Sequence, residues 1–148
     1  MYLRGPAAIL SHFARQLRPG GLMVFQEGVF SMCRSEPSCP LLEKSRGWIH
    51  DTFVHAGADM EMGWKLSSTF EQAGLPRPEM FLGSPVAAGP DSPMYKYMAE
   101  TVRSLLPMMK HYGVTSAEEV MVDNLADCLR IEMTATGTVC ATPRSIGA

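Results

Sequence analysis

The chain has 148 residues, 46% of them hydrophobic and 19% charged, with a formal net charge of −2. That size and balance describe one folded domain able to bury roughly 70% of its extended surface. They exclude the basic field that nucleic acid would need, and no apolar run reaches the length of a membrane span. The N-terminus lacks a signal-peptide pattern, so a cytoplasmic protein with neither a nucleic-acid nor a membrane partner is expected. Cys33 and Cys39 are too far apart for a CxxC pair, and Cys128 and Cys140 have no histidine near them in sequence. No zinc or other metal is therefore expected, and the scattered thiols fit a reducing compartment. Twelve methionines point either to adaptable core filling or to an apolar ligand pocket or partner surface.

In chain order, Pro6 suits a first helical turn, and Ile9, Leu10, Phe13 and Leu17 recur at helical spacing. The turn Arg18-Pro19-Gly20-Gly21 comes next. Leu22-Met23-Val24-Phe25-Gln26-Glu27 then predicts a strand over about 22–27, and its lack of polar alternation reads as cover on both faces. Residues 28–40 read as a connection, a lid or pocket wall over the strand end. Leu41 to Gly57 predicts a helix with Leu41, Leu42, Trp48, Ile49, Thr52, Phe53 and Ala56 on one face. A third helix over about 61–73, with Leu66, Phe70 and Ala73 inward, stops at Gly74-Leu75-Pro76.

Pro78 to Ala87 reads as an irregular or edge strand. Ser92-Pro93 starts a helix through Tyr97, Val102, Leu105 and Leu106 that Pro107 should kink or divide. Thr115-Ser116-Ala117-Glu118-Glu119 offers two capping-box spacings, and Val120, Leu125, Leu129 and Met133 can face inward from the helix it starts. Residues 138–143, rich in β-branched side chains, predict a last strand. The expected class is α/β, a single domain over 1–148 with several helices covering a sheet.

Two of these stretches carry a resemblance. Leu17-Arg18-Pro19-Gly20-Gly21 leading into Leu22–Glu27 resembles the fifth-strand region of class I S-adenosylmethionine-dependent methyltransferases. Gly63-Trp64-Lys65-Leu66 through Ala73-Gly74-Leu75 is similar to the helix before their sixth strand. The chain thus resembles the C-terminal half of a small-molecule methyltransferase, of the kind found in secondary metabolism.

The resemblance implies a partial Rossmann-like sheet whose strands correspond to five, six and seven. It also implies a helical elaboration over about 93–133, and a last strand, 138–143, running antiparallel between the other two. The family holds S-adenosylmethionine with its N-terminal half, by a glycine-rich turn after strand one and an acidic residue after strand two. These strands are absent from the sequence, which reads as a truncated domain. The cofactor is expected only with a complementing N-terminal half or in an unusual homo-oligomer.

Ligands of such sheets sit beyond the carboxyl ends of the strands. Glu27 is accordingly the first candidate, as a general base or hydrogen-bond acceptor, although a solvated or capping carboxylate has the same sequence signature. His50 and His55 are further candidate bases; five residues apart, they share no helical face and make poor joint metal ligands. Gln26, Phe30, Trp48, Phe53 and Met60 are candidate substrate-pocket residues, with core packing the competing role of the aromatics. Asp59 and Glu61 near a helix start suit either chemistry or helix-end electrostatics.

Three functions remain open from the sequence. The chain is a methyltransferase-like polypeptide, incomplete alone. Otherwise it is a noncatalytic homologue that binds a small apolar molecule or a partner protein, or an oligomeric enzyme repurposed for another reaction. An edge strand without its neighbour also predicts a homodimer or higher oligomer.

Overall fold

A computed structural model describes residues 4–147. The elements in order are α1 (Pro6–Ala14), β1 (Phe25–Gly28), a 3-10 turn (Phe30–Met32), β2 (Arg34–Glu36), α2 (Pro40–His55) and α3 (Met62–Gln72). They continue with β3 (Met80–Gly83), β4 (Val86–Ala87), α4 (Met94–Tyr112), α5 (Ala117–Val120), α6 (Leu125–Thr136), β5 (Val139–Ala141) and β6 (Arg144–Gly147). The strands form two separate three-stranded antiparallel sheets, β1-β6-β3 and β2-β5-β4. The chain divides into two compact units, each containing one of the sheets.

The first unit comprises the described residues up to Met32, Ala58–Ser84 and the segment from Thr142 onward. Its sheet has β6 in the middle, with Phe25 and Met80 both opposite Gly147, and Glu27 and Leu82 both opposite Ser145. Residues directly opposite share a face. Phe25 meets Phe70 of α3 edge to face, with ring centroids 6.1 Å apart, so the face carrying Phe25 and Glu27 is the one that α3 covers. Leu10, Val29, Met60, Met62, Leu66 and Phe70 form the buried interior. Gly63 lets α3 approach β1 closely. A Cβ there would stand 2.5 Å from Val29 Cγ2, 2.8 Å from the Gly28 carbonyl oxygen and 3.1 Å from that of Glu27.

The second unit comprises Cys33–Gly57 and Pro85–Ala141. Helices α2, α4 and α6 pack on one another through Leu42, Trp48, Ile49, Met98, Val102, Met109, Leu125, Leu129 and Met133. Val102, Met109 and Leu129 have no measurable exposure, and three of the nine are methionines. The inward set expected from the 117–133 stretch, Val120, Leu125, Leu129 and Met133, is buried throughout. Of the two capping spacings, Ser116 is the one used at the backbone: its Oγ accepts from the Glu119 N–H at 3.2 Å.

Several expected boundaries move, each for a local reason. The first strand begins at Phe25 rather than 22, and it is not covered on both faces: Leu22 is 84% and Val24 60% exposed. The stretch 78–87 is two strands in different sheets, β3 and β4, because the break at Ser84-Pro85 interrupts the ladder. The expected last strand, 138–143, divides in the same way around Thr142-Pro143.

It is β6, after that proline, that lies antiparallel between the first and third strands. The residues expected there, 138–143, lie four to six positions earlier, and their Val139–Ala141 pairs in the other sheet. Pro107 does not divide α4, which runs on to Tyr112; Pro107 lies on the exposed side, where a carbonyl without its helical partner meets water. Residues 28–40, expected as a plain connection, contain the 3-10 turn and β2. Ala56 lies on the exposed side of α2 rather than its apolar face. Among the described residues no helix is long and apolar enough to cross a membrane.

Candidate functional site

In the first unit the chain leaves β1 through a fixed path. The Val29 N–H donates to the Pro143 carbonyl at 3.2 Å and the Phe30 N–H to the Met60 carbonyl at 3.1 Å, so Phe30 and Met60 are joined along the backbone. One residue on, the Ser31 N–H and Oγ donate to the two carboxylate oxygens of Glu61, each at 2.7 Å. The Glu61 N–H in turn donates to Asp59 Oδ1 at 3.0 Å, and Asp59 Oδ2 accepts from the Lys65 ammonium. That ammonium holds the Asp59 carboxyl below the usual carboxylate range; burial opposes it, and the Glu61 N–H adds a smaller lowering effect.

The result is a polar clamp on the connection after β1, with Glu27 on the α3 side of the strand just before it. Glu27 is half-buried and Gln26 exposed on the opposite face. Four sequence candidates, Gln26, Glu27, Phe30 and Met60, are thus gathered in this unit at one end of β1. Met60 is buried and packs with the interior. Chemically, the arrangement offers a carboxylate at a strand end and a connection too well tied to move freely.

The other four candidates belong to α2 in the second unit. Trp48 is a core side chain, with the Lys44 ammonium 5.4 Å from its ring centroid. Phe53 is partly buried against the same core. His50 Nδ1 lies 2.9 Å from Asp51 Oδ1; His55 Nδ1 lies 2.7 Å from the Asp51 carbonyl oxygen, which requires the nitrogen to donate. The His55 ring stacks on Tyr112, with centroids 5.7 Å apart. The two histidines are therefore engaged with Asp51 in the C-terminal half of α2.

Sequence reasoning missed the Ser31–Glu61 clamp, since nothing local marks a partner thirty residues away. Gly63 stands in a stretch that carries the resemblance, but its steric role had no signal of its own.

Two open depressions occur in the second unit. One, of about 510 Å³, runs along α4 past Pro93, Lys96, Tyr97, Glu100, Thr101 and Ser104. The other, of about 440 Å³, follows the loop from Val86 to Pro93. None of the eight candidates lines either. Among the described residues no three His, Cys, Asp or Glu side chains are placed to hold a metal ion. Burial, opposed only in part by the Leu42 N–H, pushes the Cys39 thiol up to about 11, and burial likewise raises Cys140, so neither is an activated nucleophile.

The glycine pair before β1 offers S-adenosylmethionine no open cradle. The Gly20-Gly21 pair is folded onto itself: the Gly21 N–H donates to the Arg18 carbonyl at 2.8 Å, and a Cβ on Gly21 would stand 2.9 Å from that oxygen. The turn is a type II turn, with Pro19 at its first central position and Gly20 at φ 76° at its second. Its inward donor is spent on closing the turn. No protein-family model and no curated protein matches the chain.

Proposed function

We propose that this chain is a methyltransferase-like α/β polypeptide of small-molecule metabolism, which handles the methyl acceptor and depends on a complementing segment to hold S-adenosylmethionine. The observation that carries this reading is the strand order β1-β6-β3, with the last strand antiparallel in the middle. That order comes after a Leu-Arg-Pro-Gly-Gly turn and flanks a helix followed by Ala-Gly-Leu, the two stretches on which the resemblance rests, and this supports the reading.

On this reading the acceptor binds beyond the end of β1, where ligands of α/β sheets collect. Gln26 and Phe30 would contact it, and Glu27 would accept a hydrogen bond or a proton from its hydroxyl or N–H group. Met60 would back Phe30 from the interior. Ser31 and Glu61 act as positioning residues, because they fix the connection without facing a reacting atom. His50, His55, Trp48 and Phe53 are assigned no shared site with these residues.

The reading is tested by equilibrium dialysis and calorimetry with S-adenosylmethionine. One arm uses the chain alone; the other uses the chain co-expressed with cofactor-binding segments carrying a glycine-rich turn. Retention in the combined arm only is expected, with Glu27→Gln leaving retention intact while slowing methyl transfer. Absence of retained cofactor in every combination overturns it.

A second reading, a noncatalytic interaction protein, is favoured by one observation: Leu22, Val24 and Phe81 are large apolar side chains exposed in the same unit. It predicts capture of a partner with no cofactor in either arm.

A further inference from the structure

The two outer strands of the first unit's sheet are protected very differently. β3 is preceded by Pro76-Arg77-Pro78-Glu79 and followed by Ser84-Pro85, so prolines and charges guard its open edge. Beside β1 the stretch Leu22-Met23-Val24-Phe25-Gln26 has no proline and no charge, and β6 is the only strand paired with β1 among the described residues. Side chains alternate along a strand, so Leu22, Val24 and Gln26 project to the face that α3 does not cover, the face that also carries Phe81 and Ile146. Leu22, Val24 and Phe81 are 84%, 60% and 64% exposed.

We infer that this edge is the site of self-association: two copies of the chain pair antiparallel through residues 22–26, about a two-fold axis at Val24. The arrangement is isologous, so the same patch must complement itself, and the charge pattern does so. With Val24 opposite Val24 of the second copy, Leu22 faces Gln26 and Met23 faces Phe25, and no like charges are opposed. Position 21 then faces position 27. The Arg18–Gly21 turn, closed by its 2.8 Å hydrogen bond, thus lies across from the other copy's Glu27 along the backbone, and its one charge, on Arg18, is opposite in sign to that carboxylate. Any parallel arrangement of the same strands loses this match. The two three-stranded sheets become one of six strands, and the apolar strip of Leu22, Val24, Ile146 and Phe81 continues across the axis.

The inference goes beyond the proposed function and does not rest on it. A dimer that never retains S-adenosylmethionine leaves the inference standing, and a monomer that retains it with a complementing segment overturns only the inference.

The test is sedimentation equilibrium of the whole chain and of two variants, V24K and V24E. Val24 is largely exposed and precedes β1, and far-ultraviolet circular dichroism checks that each variant folds. The unaltered chain is expected to be dimeric at tens of micromolar. Each variant alone places like charges at the axis and is expected to weaken association by ~10-fold or more. An equimolar mixture of the two is expected to restore the dimer, because residue 24 meets residue 24 only in this register. Hydrogen exchange of the unaltered chain supplies a measurement independent of the variants: amides at 22–26 should slow as concentration rises, with 78–83 unchanged. A monomer at every concentration, a dimer indifferent to both single variants, or a mixture no stronger than its components overturns the inference. So does protection of 22–26 that requires a different polypeptide.

Discussion

The helical unit of Cys33–Gly57 and Pro85–Ala141 and the sheet unit around β1, β6 and β3 solve the problem of burial unequally. In the helical unit Leu42, Val102, Met109, Leu129 and Met133 lie at 0–1% exposure, and three helices enclose them. In the sheet unit the interior is half a dozen side chains, while Leu22, Val24, Phe81 and Leu82 remain substantially exposed. A three-helix interior closes on itself. A three-stranded sheet with helices on one face leaves its other face and an edge for something else to cover. The helical unit also exposes Val86, Tyr97, Met121 and Ile131, but exposed apolar side chains are more concentrated in the sheet unit, where both the proposed function and the proposed dimer arise.

Four measurements sharpen this contrast. The largest effect is expected from Leu129→Ala, which empties a fully buried position among α2, α4 and α6 and should cost ~2–5 kcal/mol in urea unfolding. An equal loss from Leu22→Ala would erase the distinction between the units. Next comes Gly63→Ala in the sheet unit. The added Cβ meets backbone oxygens of β1 that cannot step aside, so a loss of ~1–3 kcal/mol is expected despite alanine's better helix propensity.

The same change in the other unit should have the opposite sign. At Gly47 in α2 an added Cβ meets nothing within 4 Å, so Gly47→Ala is expected to stabilise by ~0.5–1 kcal/mol, read as a higher denaturation midpoint.

The smallest effect concerns pH. Because Lys65 and the Glu61 N–H lower the Asp59 carboxyl in the folded chain, its contribution is present above the unfolded carboxylate value of about 4. That contribution is lost as pH falls through the lower, folded value. Both partners are more than a third exposed, so only ~0–1 kcal/mol is at stake. Asp59→Asn should flatten stability against pH below about 4 and leave the helical unit's amide exchange unchanged. Molar salt should do much the same to the unaltered chain.

The helical unit was the more legible of the two because its information is local. Spacing alone placed Leu42, Trp48, Ile49, Leu125, Leu129 and Met133 inward, and one of the two capping spacings, that of Ser116, is used. The sheet unit was legible in part. The resemblance at Leu17–Glu27 and Ala73–Leu75 led to a middle strand running antiparallel, but the residues expected to form it were those before Pro143 rather than after it. Within the expected 138–143 stretch, Val139–Ala141 does form a strand; its sheet membership is decided by partners as far back as Arg34–Glu36, which periodicity cannot see. For the candidate site, Glu27 was found as the end of a strand. The Ser31–Glu61 clamp and the contact of Gly63 on β1 required the fold, since neither leaves a mark on its neighbours in sequence.

Pro143 separates two strands of unusual importance: β5 is the central strand of one sheet and β6 the central strand of the other. Every strand that pairs with them is made earlier. During synthesis, at roughly 5–20 residues per second, four strands emerge that have no partner to pair with until the segment from Val139 to Gly147 is made. The helices α2, α4 and α6 need no such wait, because their mutual packing is complete by Thr136. A nascent chain would therefore carry a formed helical core and two unfinished sheets. The exposed apolar run at 22–25 would be left longest without cover, and a chaperone that recognises extended apolar segments would find its opportunity in that interval.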